Sequence, residues 1–281
     1  MVKTILVTGA NKGIGLAIVE ALLCEVSDSL LLLGSRDRAR GQAAVEGLVA
    51  KLGQAVKGRV KLLVVDVTSE CSVLAAAAAV EKEHGKLYGL VNNAGGWQAE
   101  ITGTIDLNAY GVRRVCEAFI PIMEAGGRVV QVRRNSSLSL ISFPQVSSGA
   151  APSFVEKCSS EMRHFCANPD LTWRAVEERM IKPYLGIMEH LPAGERPAAL
   201  LAAGLGERKE GSWGEYGLAK AAVNCYSLEL AKRFPSLTIT GCSPGFVETD
   251  LTSGFAKKSG KTAAEMGMIT VDQVWVSSLS G

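Results

Sequence analysis

No apolar stretch in this chain reaches the ~20 residues that a membrane-spanning helix needs, and none of its 281 residues forms a charged-then-apolar leader ahead of the first strand-like run. A soluble, non-secreted protein is therefore expected. Charge of either sign is also lacking in excess. Thirty Lys and Arg against 28 Asp and Glu give a net charge of +2, which offers no electrostatic case for nucleic acid or an anionic membrane as a partner. There are only three histidines (His84, His164 and His190), none with a thiol or carboxylate at metal-ligand spacing, so no metal is expected. The seven cysteines are odd in number and include no C-x-x-C pair. That pattern excludes a disulfide framework and predicts reduced thiols in a cytoplasmic protein. What remains, 47% apolar and 21% charged, is an ordinary globular composition with a real core.

The informative stretch is the first fifteen residues. Val2–Val7 is an apolar run that predicts a buried parallel strand. It leads directly into Thr8-Gly9-Ala10-Asn11-Lys12-Gly13-Ile14-Gly15, and then into a helical pattern over Leu16–Leu23. Strand, glycine-rich turn and helix together suggest a phosphate site. Gly9 allows a sharp turn, Gly13 lets a pyrophosphate approach the backbone, and Gly15 lets the helix pack close to the sheet. The helix N-terminus offers unpaired N–H groups and partial positive charge. The spacing is G-x-x-x-G-x-G, not G-x-G-x-x-G, and a tight turn without ligand has the same local appearance.

Strand-like runs at Leu30–Leu33, Val60–Val65 and Leu87–Val91 alternate with helical patterns at Arg40–Leu52 and Thr68–His84. Alternation of this kind predicts an α/β fold with a doubly wound parallel sheet, in which ligands bind beyond the strands' carboxyl ends. After the second strand the first charged residue is Arg36, followed by Asp37, Arg38 and Arg40. An arginine there suits a 2′-phosphate and an acid a 2′-hydroxyl, so Arg36 with Lys12 favours NADP(H) over NAD. The same arginines also suit the solvated start of a helix. The third strand ends in Asp66-Val67, and in a fold of this kind that acid would sit by the adenine edge. Asn92-Asn93-Ala94-Gly95 follows the fourth strand.

The T-G-x-x-x-G-x-G turn, Asn92-Asn93-Ala94-Gly95 and Tyr216-Gly217-Leu218-Ala219-Lys220 together resemble the short-chain dehydrogenase/reductase family. The wording of NKGIGLAIVE, SRDRARGQAAVEGL and GRVVQV is similar to its monomeric carbonyl reductase branch, over roughly residues 1–255. The resemblance implies a Rossmann fold, NADP(H) as cofactor, a small-molecule ketone or aldehyde as substrate, and a monomer. It implies Tyr216 as proton donor, Lys220 as the cation that lowers the phenol pKa and holds the nicotinamide ribose, and Asn108 as the orderer of a relay water. It implies a cofactor site at Gly9, Asn11, Lys12, Gly13, Ile14, Gly15, Arg36, Asp66, Val67, Asn92, Ala94, Gly95, Tyr216 and Lys220. Pro244, Gly245, Val247 and Thr249 would complete it after the last strand. Long helices before the tyrosine cover, in that branch, the side used for subunit contact elsewhere in the family.

Three departures stand out. Where the family's catalytic serine ends the fifth strand (Gly127–Val132), this chain has Arg133-Arg134. Gln131-Val132 recurs as Gln145-Val146, followed by Ser147-Ser148, so residues 133–146 read as an insertion. Ser148 is then the candidate catalytic serine, with Ser136, Ser137 and Ser139 as competitors. Residues 149–215 form a second insertion within a single catalytic domain spanning 1–281; in it Trp173–Tyr184 has helical spacing that ends around Pro183. Trp173, Trp213 and Met188 are either pocket or core. Only twelve residues, Gly96–Leu107, separate Gly95 from Asn108, so the helix carrying Asn108 is expected to start late. The C-terminal helix and strand look incomplete, Val274–Leu279 supplying a short imitation, which predicts an exposed sheet edge and lowered stability. Two other functions stay open: a non-catalytic family member that binds nucleotide or a partner, and a different chemistry such as sugar-nucleotide epimerisation.

Overall fold

Strand β1 (Lys3–Val7) carries only buried or half-buried side chains, because strands pair with it on both sides and helices cover both faces. Leu6 lies opposite Leu32 of β2 (Ser29–Ser35) and Leu90 of β4 (Leu87–Asn92). These residues feed one core, while Ile5, Val7, Leu31 and Leu33 feed a second on the opposite face. The period-2 alternation of a strand thus divides an unbroken apolar run between two interiors. The computed structural model describes residues 2–132, 150–206, 214–242 and 247–249, and positions 262, 264, 265, 268 and 270.

Six parallel strands, with β3 (Val60–Val64), β5 (Met123–Val132) and β6 (Thr238–Cys242) completing the set, form one sheet of order β3-β2-β1-β4-β5-β6. The doubly wound parallel sheet expected from the alternation is present. The order reverses between β1 and β4, which opens a crevice at their carboxyl ends. Helices α1 (Gly13–Glu25) and α2 (Arg38–Leu52) cover one face through Val19, Leu23 and Leu48. The other face takes α3 (Glu70–His84), then α4 (Ile101–Ile105), which runs through a π turn at Asp106–Tyr110 into α5 (Gly111–Phe119). Helix α11 (Gly214–Arg233) lies on the same face, and residues 216–223 within it are buried on every side.

Between β5 and α11 the described chain forms α6 (Ala150–Glu156), α7 (Ser160–Ala167), α8 (Trp173–Val176), α9 (Lys182–His190) and α10 (Arg196–Ala202). The expected stop at Pro183 is not a stop. A π turn at Glu177–Ile181 joins α8 to α9, and Pro183 sits in the first turn of α9. A proline inside an α-helix lacks a donor and presses on the carbonyl four residues back; the wider π turn immediately before it relieves both. Trp173 belongs to the core, 3% exposed and edge-on to the rings of Tyr110 and Tyr226 at 5.6 and 5.3 Å. Its backbone N–H donates to the Glu229 carboxylate at 2.5 Å, which clasps α8 to α11. Met188 packs half-buried against the same core. Trp213 and the Val274–Leu279 stretch lie outside the described residues.

Candidate active site

The crevice is built by pinning two loops to each other. Thr8 Oγ1 accepts the N–H groups of Asn93 and Ala94, both at 3.1 Å. The Asn93 side-chain amide donates back to the carbonyls of Thr8 (2.9 Å) and Gly9 (3.1 Å). Four residues after β1 and β4 (Thr8, Gly9, Asn93 and Ala94) are thereby locked at fixed separation, and two glycines make this possible. Gly9 has φ +63°, and a Cβ there would stand 2.8 Å from the Cα of Ala94. A Cβ at Gly15 would stand 2.6 Å from the Gly9 carbonyl and would also strike the Asn93 amide.

Helices α2, α3, α7 and α8 each begin under a side-chain cap, from Asp37, Ser69, Ser159 and Thr172 respectively. Helix α1 does not: its N-cap Lys12 makes no side-chain cap bond, and its first turn holds no acid. The N–H groups and partial positive charge at that end are left facing the cleft, which suits an anionic group.

The cleft encloses about 670 Å³. Of the residues expected there, Gly9, Asn11, Lys12, Gly13, Ile14, Gly15, Arg36, Asp66, Val67, Ala94, Gly95, Tyr216, Lys220 and Thr249 line it. Arg36 faces the cleft, and Asp37 does not. The Asp37 carboxylate accepts the Arg40 N–H at 3.0 Å and caps α2. Tyr216 and Lys220, one turn apart on α11, are each only 4% exposed, and the Lys220 ammonium lies 5.3 Å from the centroid of the Tyr216 ring.

Two expected residues sit elsewhere. Asn92 is the last residue of β4 and points away from the cleft, its amide donating to Cys116 Sγ at 3.2 Å. Burial pushes the Cys116 thiol up to about 12, even though Gln131 and Asn92 both donate to it. Asn93, the first residue past β4, lines the cleft and Asn92 does not. Val247 is buried outside the cleft lining, beside Thr249, which is in it.

Asn108 is wholly buried in the π turn. Its Oδ1 accepts the Gly96 N–H at 3.1 Å, and its Nδ2 donates to the carbonyls of Gly96 (2.6 Å) and Thr104 (2.7 Å). It therefore holds the loop that carries Gly95 and Gly96. The helical stretch that carries Asn108 begins with α4 at Ile101 and runs on through the π turn.

The first copy of the repeated dipeptide, Gln131-Val132, occupies the end of β5, where it pairs with Gly241 and Cys242. Val132 reaches the cleft. Ser148, its competitors Ser136, Ser137 and Ser139, and Pro244 and Gly245 all lie outside the described residues. Two residues after Ser148 the chain enters α6, which packs on α11.

Sequence reasoning missed Trp97, Gln98, Leu107 and Glu248, which also line the cleft. No motif marks them. Thr8 and Asn93 were visible inside motifs, but not as each other's partners.

A parallel, doubly wound sheet with an uncapped glycine-rich helix start in its switch-point crevice defines a dinucleotide-binding protein. The cleft side of α11 adds a buried tyrosine and lysine to it. The chain belongs to the short chain dehydrogenase family, whose sequence model matches residues 3–176. It is 32% identical to "Carbonyl reductase [NADPH] 1" of Bos taurus, over 92% of this chain and 87% of that protein. It is 30% identical to the Macaca fascicularis protein of the same name, over 94% and 88%. Among solved structures, NADPH-bound carbonyl reductase from chicken fatty liver shares the fold with TM-score 0.61 and 20% identity, over 99% of this chain and 90% of that one.

Proposed function

We propose that this protein reduces a ketone or aldehyde to the alcohol with NADPH, and that it does so as a single catalytic domain, monomeric and cytoplasmic. The carrying observation is the pairing of Tyr216 and Lys220, buried one turn apart on the wall of a cleft whose floor is the uncapped start of α1. The relatives named NADPH carbonyl reductases support the substrate and cofactor class. The seven free thiols suit a reducing compartment, and the cover that α6, α7, α8 and the π turn at Glu177–Ile181 give α11 suits a monomer.

The α1 N-terminus, Gly13 and Asn11 would receive the pyrophosphate, and Arg36 with Lys12 the 2′-phosphate. Asp66 and Val67 would flank the adenine. The cofactor supplies the hydride. Tyr216 gives its phenolic proton to the carbonyl oxygen, and Lys220 favours the phenolate through its charge. Asn108 holds the loop against which the substrate rests, and the relay water is placed beside it. Ser148 is the proposed donor to the carbonyl oxygen. Pro244, Gly245, Val247 and Thr249 are proposed to border the nicotinamide.

The test is NADPH oxidation by the purified chain against a panel of carbonyls, together with thermal melts under NADPH and NADH. Tyr216→Phe should lower turnover by about 10²-fold or more while the NADPH-induced rise in melting midpoint persists. A Tyr216→Phe protein as active as the original would refute the assignment. One observation favours a second reading, a non-catalytic nucleotide binder: β5 reaches the cleft at Val132, and the next residues are Arg133-Arg134 where the family's serine belongs. An NADPH-shifted melt without turnover of any carbonyl would support it.

A further inference from the structure

Trp97 has no counterpart among the motifs that carry the family resemblance, yet it lines the cleft in contact with Tyr216. Its ring stacks on the ring of Tyr216, with centroids 4.7 Å apart and planes 26° from parallel. It is half-buried and lines the cleft alongside Tyr216 and Lys220.

Both flanks of Trp97 are held by buried polar side chains. On one side, Asn108 takes the N–H and the C=O of Gly96, at 3.1 and 2.6 Å. On the other, Thr104 Oγ1 accepts the Gln98 N–H at 3.0 Å. Asn108 and Thr104 are 0% and 1% exposed. Only four residues, 97–100, lie between Gly96 and the start of α4, so the loop has little slack. The indole is therefore a preorganised wall and not an adaptable flap.

We propose that Trp97 selects the substrate: it favours carbonyl compounds with a flat, conjugated group next to the reacting carbon over small aliphatic ones. The inference rests on the carbonyl-reduction reading. A carbonyl oxygen must come within hydrogen-bond reach of the Tyr216 hydroxyl. A group attached to that carbonyl then lies close to the aromatic ring stacked beside Tyr216. A planar ring can lie against the indole in an offset stack and gains dispersion and electrostatic attraction there. A short aliphatic chain covers little of the indole. A bulky tetrahedral group cannot lie flat on it.

The test compares the original chain with Trp97→Ala and Trp97→Phe, using an aryl methyl ketone and a four-carbon aliphatic ketone. In Trp97→Ala, kcat/KM for the aryl ketone should fall about tenfold or more, mainly through KM. For the aliphatic ketone it should change less than about threefold. Trp97→Phe should retain most of the aryl preference. Equal losses on both substrates, carried in kcat, would mean that Trp97 only steadies Tyr216, and would overturn the proposal.

Binding supplies a second arm that does not need turnover. The aryl ketone added to NADP⁺-saturated protein, where no hydride is available, should raise the melting midpoint of the original chain and not that of Trp97→Ala. If NADPH shifts the melt but no carbonyl is reduced, the functional reading fails, and this binding comparison still decides the role of Trp97. No added shift in the original chain would overturn it.

Discussion

Replacing Asn108 tests whether the active-site loop is held in the way the geometry implies. Asn108→Ala deletes three hydrogen bonds and leaves the N–H and C=O of Gly96 and the C=O of Thr104 without that partner. Each polar group stranded in a dry site costs about 1–3 kcal/mol. Water entering from the cleft side would relieve part of this, so the expected loss is about 3–5 kcal/mol, a large share of the roughly 5–15 kcal/mol that stabilises a typical fold. For a chain of this size, where 1 kcal/mol moves the midpoint by about 2–4 °C, the melt should fall by about 6–20 °C. Asn108→Asp is the sharper variant. It keeps the volume and the acceptor for Gly96 N–H, but it points an anion at two carbonyls where the amide donated. Burial and those carbonyls would raise the introduced carboxyl's pKa above its unfolded value. Its folded form is then least strained below the unfolded pKa, and stability is lost as pH rises through the folded pKa. Differential scanning calorimetry should therefore show a deficit at pH 7.5 that narrows toward pH 5. An Asn108→Asp protein melting within about 2 °C of the original at pH 7.5 would refute the clamp, since a buried anion turned on the carbonyls of Gly96 and Thr104 cannot leave the midpoint unmoved.

Gly15→Ala should reduce both the melting midpoint and the NADPH-induced shift, because its methyl would meet the Gly9 carbonyl and the Asn93 amide; an unchanged NADPH shift would show that α1 can back away from the sheet. The Glu117 carboxylate accepts from Arg233 (2.8 and 3.0 Å) and from the Tyr226 hydroxyl (2.7 Å), and the Arg233 guanidinium, ahead of Tyr226, holds its pKa below the usual carboxylate range. The stability that it contributes is present above the unfolded pKa and lost as pH falls through the lower folded one. Urea midpoints measured from pH 6 down to pH 3 should thus decline more steeply for the original chain than for Glu117→Gln.

The sheet was legible because its strands are mostly apolar runs separated by helix-forming stretches. Val2–Val7 and Leu87–Val91 needed no partner to be recognised. The cofactor loop was legible for a related reason: its glycines act on the backbone of their own neighbourhood. What could not be read depends on contacts between distant segments. Asn92 and Asn93 are adjacent, and only the register of β4 decides which one faces Cys116 and which one faces Thr8. Pro183 reads as a terminator until a π turn precedes it. Asp37 and Arg36 compete on paper for the same ribose; in the fold, Asp37 is taken by the N-terminus of α2. Trp97 gave no signal, because its importance comes from a ring 119 positions further on. The candidate serine was readable only through the repeated Gln-Val, and Ser148 lies outside the described residues.

The bonds that join Thr8 to Asn93 and Ala94 cross the seam between the two three-strand halves of the sheet, β3-β2-β1 and β4-β5-β6. The Thr8 N–H crosses it as well, donating to Val91 at 3.0 Å. Opening the cleft from below would mean parting the sheet at its centre, where both strands are paired and covered. The amides of Thr8, Asn93 and Ala94 should consequently be among the slowest to take up deuterium in the cofactor-free protein. Among the described residues, the way out of the cleft that leaves the sheet intact is over the rim. Whatever rests on that floor is positioned by the sheet itself.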